Sequence, residues 1–157
     1  MTKNSSQKSS VESRVTLSQL MHPEHANLLC NVHGGWIMKL VDEAGALACM
    51  RHAQKKVVTV AIDSMTFRQP IKIGDLVVLN AEVTYTGRTS MEAMVRVIAE
   101  NPVTGEQTHT NTAYLVYVAL DNKGRPTTVP ALVTKTEEEK QRMEQAKKRQ
   151  AYRISQK

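Results

Sequence analysis

The chain has 157 residues and a mass of 17.5 kDa, the size of one ordinary domain. Its 41% hydrophobic and 23% charged residues, with only 12 Gly and Pro together, exclude a collagen-like, low-complexity or wholly disordered chain. The net charge of +6 sits at the ends: residues 1–14 carry +2 and residues 132–157 carry +4, leaving residues 15–131 neutral at ten basic against ten acidic, and 4% aromatics argue against base-stacking platforms for nucleic acid.

Residues 1–13 are rich in Ser and Lys without the apolar core of a signal peptide, and no apolar run approaches the roughly 18 residues of a membrane span. A cytoplasmic protein with no nucleic-acid or membrane partner is expected. Cys30 and Cys49 are too few for a disulfide framework and read as reduced thiols. Val15, Leu17 and Leu20 alternate with polar residues as a short strand would, and residues 21–31, broken by Pro23, read as a loop. From Gly35 to about His52 the composition turns to Ala, Leu, Met and Ile without Pro, which predicts one long central helix. Residues 57–67, 75–85, 91–99 and 108–120 are β-branched or alternating and are separated by turn signals, which predicts four consecutive strands in an antiparallel meander. Residues 136–154 are polar and free of Gly and Pro, so a solvated terminal helix is expected. The expected organisation is a flexible N-terminal tail (1–14), an α+β domain (15–131) and a basic helical C-terminal tail (132–157).

The central helix is apolar nearly all round, with Lys39, Asp42 and Glu43 its only charges before Arg51. Such a helix is wrapped by a sheet and covered elsewhere by a ligand or another chain. Glu43 is placed to pair with Lys39 at i+4. Asp42 has Gly35, Met38, Gly45, Ala46 and Cys49 at helical spacing, mostly small side chains that leave room for an approaching molecule. It reads either as a general base or nucleophile, or as a second partner of Lys39. Just before the helix, Asn31, Val32, His33, Gly34 and Gly35 offer free backbone N–H groups at a positive helix end, suited to a developing oxyanion; a plain tight turn is the alternative. His22, His25, Cys30 and His33 have a metal-like spacing, but Pro23 and Glu24 fit a loop better than a rigid ligand arm, and no metal is expected. Arg88, Thr89 and Ser90 form a turn that suits a phosphate or serves only as a hairpin. Nucleotide-loop, nucleophile-elbow and zinc-protease signatures are absent.

The run from Asn31 through His33, Gly34 and Gly35 to Asp42, Glu43 and Gly45, followed by Thr59, Asp63, Thr66, Phe67, Arg68, Pro70, Gly74 and Asp75, resembles the hotdog-fold acyl-CoA thioesterases, in the branch of the cytosolic acyl-CoA hydrolases related to brain acyl-CoA hydrolase. The likeness spans about residues 15–130. It implies a hotdog fold, an antiparallel sheet wrapped around the long helix, and hydrolysis of acyl-CoA to a carboxylic acid and coenzyme A with no cofactor. It further implies a homodimer with sites at the interface, assembled in many members as a trimer of dimers. The family's loop Asn and helix acid match Asn31 and Asp42, with His33, Gly34 and Gly35 beside them. Thr59 and the Arg88, Thr89 and Ser90 turn match substrate-binding regions. Hotdog hydratases, non-catalytic acyl-CoA sensors and an RNA-binding module are the rival functions; Asn31 with Asp42 favours hydrolysis, and no RNA-binding motif is present.

Overall fold

In the computed structural model, which describes residues 6–157, the apolar run forms α1, Gly34–Ala53, 20 residues and so about 30 Å long. Local chemistry sets its ends. The His33 ring Nδ1 accepts from the Gly35 N–H at the N-terminus. Gln54, in the left-handed region at φ 55°, closes the C-terminus by donating its N–H to the Met50 carbonyl. Ile37, Leu40, Val41, Ala44, Ala48 and Cys49 recur at helical spacing as one buried stripe, while Met38 and Leu47 stay exposed.

Five strands, β2 (Val15–Leu20), β3 (Lys56–Ser64), β4 (Leu76–Thr86), β5 (Ser90–Glu100) and β6 (Gln107–Leu120), form one sheet in the order β2-β4-β5-β6-β3, with antiparallel neighbours throughout. α1 touches all five, so the sheet wraps the helix as expected of a hotdog. The core is the helix stripe against inward residues such as Val77, Leu79, Val83, Val95, Leu115 and Tyr117.

The predicted four-strand meander holds only for β4, β5 and β6. β3 pairs with β6, at the edge opposite β2, and not with the next strand in sequence. Residues 65–75, which include Pro70, are too long a connection for a tight hairpin and carry the chain to the other side of the sheet.

The chain ends also depart from expectation. Residues 1–5 of the expected flexible tail lie outside the described residues. Beyond them, β1 (Gln7–Ser9) pairs in parallel with β7 (Ala131–Val133), so the expected boundary at 131/132 falls inside a strand. A short 3-10 turn follows at Ser10–Ser13, where Ser10 Oγ donates to Glu139 at 2.9 Å and Ser13 Oγ accepts from the Val83 N–H at 3.2 Å. Such long-range bonds from serines leave no trace in composition.

The terminal helix α2, Glu137–Ser155, starts at a capping box in which Thr136 Oγ1 accepts from the Glu139 N–H at 3.1 Å and Glu139 accepts from the Thr136 N–H at 3.2 Å. It is not merely a solvated helix. Arg142, Arg149 and Arg153, on one helical face, bind Glu82 of β4, Glu92 of β5 and Asp63 of β3. Arg149 grips Glu92 with two N–H donors at 2.9 and 2.8 Å and lies 3.7 Å over the Tyr114 ring. Glu82 and Glu92 alternate with inward core residues, so α2 covers the sheet face opposite α1.

Candidate active site

Asp42 lies two turns into α1 and is half-buried. Its carboxylate Oδ1 accepts from Thr59 Oγ1 of β3 at 2.7 Å, and the Tyr117 hydroxyl of β6 lies 2.9 Å from its backbone carbonyl and 3.1 Å from the same Oδ1. A Cβ on Gly45 would sit 2.5 Å from the Tyr117 oxygen, so glycine is what admits the ring against the helix. The other half of the Asp42 alternatives fails: Lys39 pairs with Glu43 at 3.4 Å and leans over Trp36, leaving Asp42 to Thr59 and Tyr117.

Burial, reinforced by the Asp42 charge, raises the Tyr117 pKa well above its ordinary value, so the phenol stays a neutral donor. Burial likewise raises that of the Cys49 thiol, which makes Cys49 an inert core residue.

Sheet register brings the turn residues to the same end. Thr59 is paired with Tyr117 and Tyr117 with Met91, next to Ser90. Two strand spacings put the start of β5 roughly 10 Å from Thr59. Within the turn, the Gly87 N–H donates to the Ser90 carbonyl at 2.8 Å, the Arg88 and Thr89 carbonyls accept from Val129 and Ala119 at 3.0 Å each, and Arg88 is exposed.

The loop before α1 borders a cavity of about 300 Å³ lined by Asn27, Leu29, Asn31, Gly34, Ile37 and Phe67, among others. Asn27 organises this loop: its Oδ1 accepts from the Leu29 N–H at 2.9 Å and the Asn31 N–H at 3.2 Å, and its own N–H donates to the Asn31 carbonyl at 2.8 Å. The Gly35 N–H is already taken by the His33 ring, which leaves the Gly34 N–H at the open helix end. Asp42 is not brought to this loop. Eight residues of helix, roughly 12 Å of rise, separate it from Gly34.

Of the metal-like spacing, His25 Nδ1 accepts from the His22 N–H, His33 caps α1, and Cys30 is exposed. No group of three or more His, Cys, Asp or Glu that could hold a metal occurs among the described residues. No helix there is long and apolar enough to cross a membrane. Sequence reasoning missed Tyr117, Gly45 and Asn27. Tyr117 gave only an alternation signal, and Gly45 looked like any small residue of the helix.

Residues 30–106 match the thioesterase superfamily. The uncharacterized acyl-CoA thioester hydrolase YkhA of Bacillus subtilis is 38% identical over 128 residues, 82% of this chain and 74% of its own length. The cytosolic acyl coenzyme A thioester hydrolase of Rattus norvegicus is 36% identical over 87% of this chain, which spans 36% of that protein. Among solved structures, an apo hexameric acyl-CoA thioesterase superposes with a TM-score of 0.91 at 40% identity, covering 96% of both chains. An acyl-CoA hydrolase from Staphylococcus aureus, in complex with butyryl coenzyme A, coenzyme A and coenzyme A disulfide, superposes with a TM-score of 0.88 at 33% identity over 96% of this chain and 92% of that one. Structures of that hydrolase also exist with an Asp, a Thr or an Asn replaced by Ala. Fold, family match and relatives agree: the chain belongs to the thioesterase superfamily, among its hotdog-fold acyl-CoA thioester hydrolases.

Proposed function

We propose that the protein hydrolyses acyl-CoA, giving a free carboxylic acid and coenzyme A, with Asp42 as the reacting carboxylate. The observation that carries this is the 2.7 Å bond from Thr59 to Asp42. In the Staphylococcus aureus hydrolase the replaced Asn and Asp are 15 residues apart and the Asp and Thr 17 apart. Asn27, Asp42 and Thr59 have the same spacings here.

A thioester carbonyl is already electrophilic and thiolate is a fair leaving group, so a base and N–H donors suffice without a serine nucleophile. Asp42 takes a proton from water as the water oxygen bonds to the carbonyl carbon. The Gly34 N–H, at the positive helix end, meets the developing oxyanion. The C–S bond then breaks, and the departing thiolate receives the proton. Direct attack by Asp42, through an anhydride that water opens, has the same balance and needs the same carboxylate. No cofactor takes part in either route.

The loop cavity and Asp42 of one chain are too far apart to meet on one carbonyl, so in our reading each site pairs the loop of one subunit with Asp42 of another. The β3 edge supports this, with Val58, Val60 and Ile62 all exposed on a strand paired on one side only, to β6, among the described residues. We take the assembly to be a homodimer, built into a trimer of dimers as the hexameric neighbours suggest. The loop asparagine of the site is Asn27 by spacing, with Asn31, the residue singled out by the sequence, hydrogen-bonded behind it. Hybrids formed from Asp42→Asn and Asn27→Ala subunits are expected to regain up to about half the wild-type activity, because one site per dimer is then intact. The same mixing with Asn31→Ala distinguishes the two asparagines. Absence of recovery in verified hybrids with either would overturn the shared site, and thiol release from acyl-CoAs of graded length tests the activity itself.

Arg88, Thr89 and Ser90 are assigned to the phosphate-bearing end of coenzyme A, which suits an exposed guanidinium beside two hydroxyls. Arg88→Ala is expected to raise KM more than it lowers kcat, with added salt mimicking the change in the wild type; an unchanged KM would move the nucleotide end elsewhere. A cytoplasmic location fits these substrates and the cytosolic rat relative.

A further inference from the structure

We propose that Tyr117 is a positioning residue of the hydrolytic reaction, fixing the Asp42 carboxylate so that Oδ2 is the oxygen that reacts. This rests on Asp42 being the reacting carboxylate. Both side-chain contacts to Asp42 converge on one atom: Thr59 Oγ1 at 2.7 Å and the Tyr117 hydroxyl at 3.1 Å meet Oδ1. Oδ2 receives no hydrogen bond among the described residues. The two donors come from adjacent strands, paired directly at Thr59 and Tyr117 across β3 and β6, so the sheet sets their separation. A carboxylate gripped through one oxygen presents the other in a fixed direction, which a reaction at a single carbon demands.

Tyr117 is also tied to the helix itself. Its hydroxyl lies 2.9 Å from the Asp42 carbonyl oxygen, so the one phenolic proton is shared between backbone and side chain of the same residue. The ring is fully buried, while Thr59 is exposed on an edge strand. Tyr117 is therefore the anchor held within the core of a single subunit. Gly45 belongs to the same device, since a methyl there would meet the hydroxyl at 2.5 Å and push it off Asp42.

Two variants test this from opposite directions. Tyr117→Phe keeps the ring and removes the donor; Gly45→Ala keeps the donor and displaces it. Each is expected to lower kcat about 10- to 100-fold, the scale of one hydrogen bond to a charged group, with KM for acyl-CoA nearly unchanged. Tyr117→Phe added to Asp42→Asn should reduce the residual rate no further, because the positioned carboxylate is already gone. A role confined to packing predicts instead a lowered Tm with a parental kcat at temperatures where the fold holds, and a contribution to the rate independent of Asp42 predicts losses that multiply in the double variant. Parental kcat in Tyr117→Phe with Asp42→Asn inactive would overturn the proposal while leaving the base intact. Full activity in Asp42→Asn would remove the base, and the proposal with it.

Discussion

Asp42→Asn is expected to lower the rate of thiol release from acyl-CoA by about 10²- to 10⁴-fold, the range for removal of a general base. The amide keeps an oxygen to accept from Thr59 and Tyr117, so the local geometry survives while the base, or the nucleophile, is lost. Thermal unfolding should show a Tm at or above that of the wild type. If Asp42 were a surface ion-pair residue the pattern would reverse: activity would be retained and stability would move by roughly 0.2 to 0.5 kcal/mol. The structure already gives that surface role to Glu43, whose carboxylate meets Lys39 at 3.4 Å. An active Asp42→Asn enzyme would therefore leave Asp42 with no assigned chemistry.

The second large effect lies on the other face of the sheet. Arg149→Ala is expected to cost about 3 to 5 kcal/mol of folding stability, because it leaves Glu92 as an uncompensated buried charge. The Glu92 side chain is 2% exposed and its two oxygens each accept from Arg149; among the described residues only the Thr84 hydroxyl, 2.8 Å from Oε1, remains to it. The substitution also removes the guanidinium stacked on Tyr114. A domain stable by 5 to 15 kcal/mol would be left marginal by such a loss. The check is a denaturant midpoint measured beside the double variant Arg149→Met with Glu92→Met. Removing both charges should be far less damaging than removing one. Equal losses in the single and double variants would mean that packing of α2, and not charge compensation, dominates.

The sequence carries the element list well and the long-range partnerships poorly. α1 was legible because Ala, Leu and Met run without Pro from Gly35 to His52, and the strands because β-branched residues alternate between clear turns. The place of β3 was not, because nothing in residues 65–75 says which edge the chain reaches next. Docking of α2 was equally hidden: Arg149 finds Glu92 across 57 positions, and Arg153 finds Asp63 across 90. Without those partners, a helix of Glu, Lys and Arg looks merely solvated. In the site, Asp42 stood out as an acid among small residues, whereas Tyr117, 75 positions away, became part of it only once the sheet register was known. The loop offered two asparagines. The family resemblance points to Asn31, while Asn27 has the distance from Asp42 that separates the replaced Asn and Asp of the Staphylococcus aureus hydrolase.

The N-terminal segment has a consequence for the order in which the molecule assembles. Its strand partners are Ala131–Val133, and Ser10 is bonded to Glu139 across 129 positions. A ribosome delivers those partners only after every strand of the five-stranded sheet. β1 therefore waits, unpaired, until residue 133 has emerged, and its docking is among the slowest closures by loop entropy. The sheet built from β2 to β6 can form ahead of it, since every strand in that sheet precedes residue 121. β1 and β7 then fasten together over a finished sheet, like a belt closed after the garment is on.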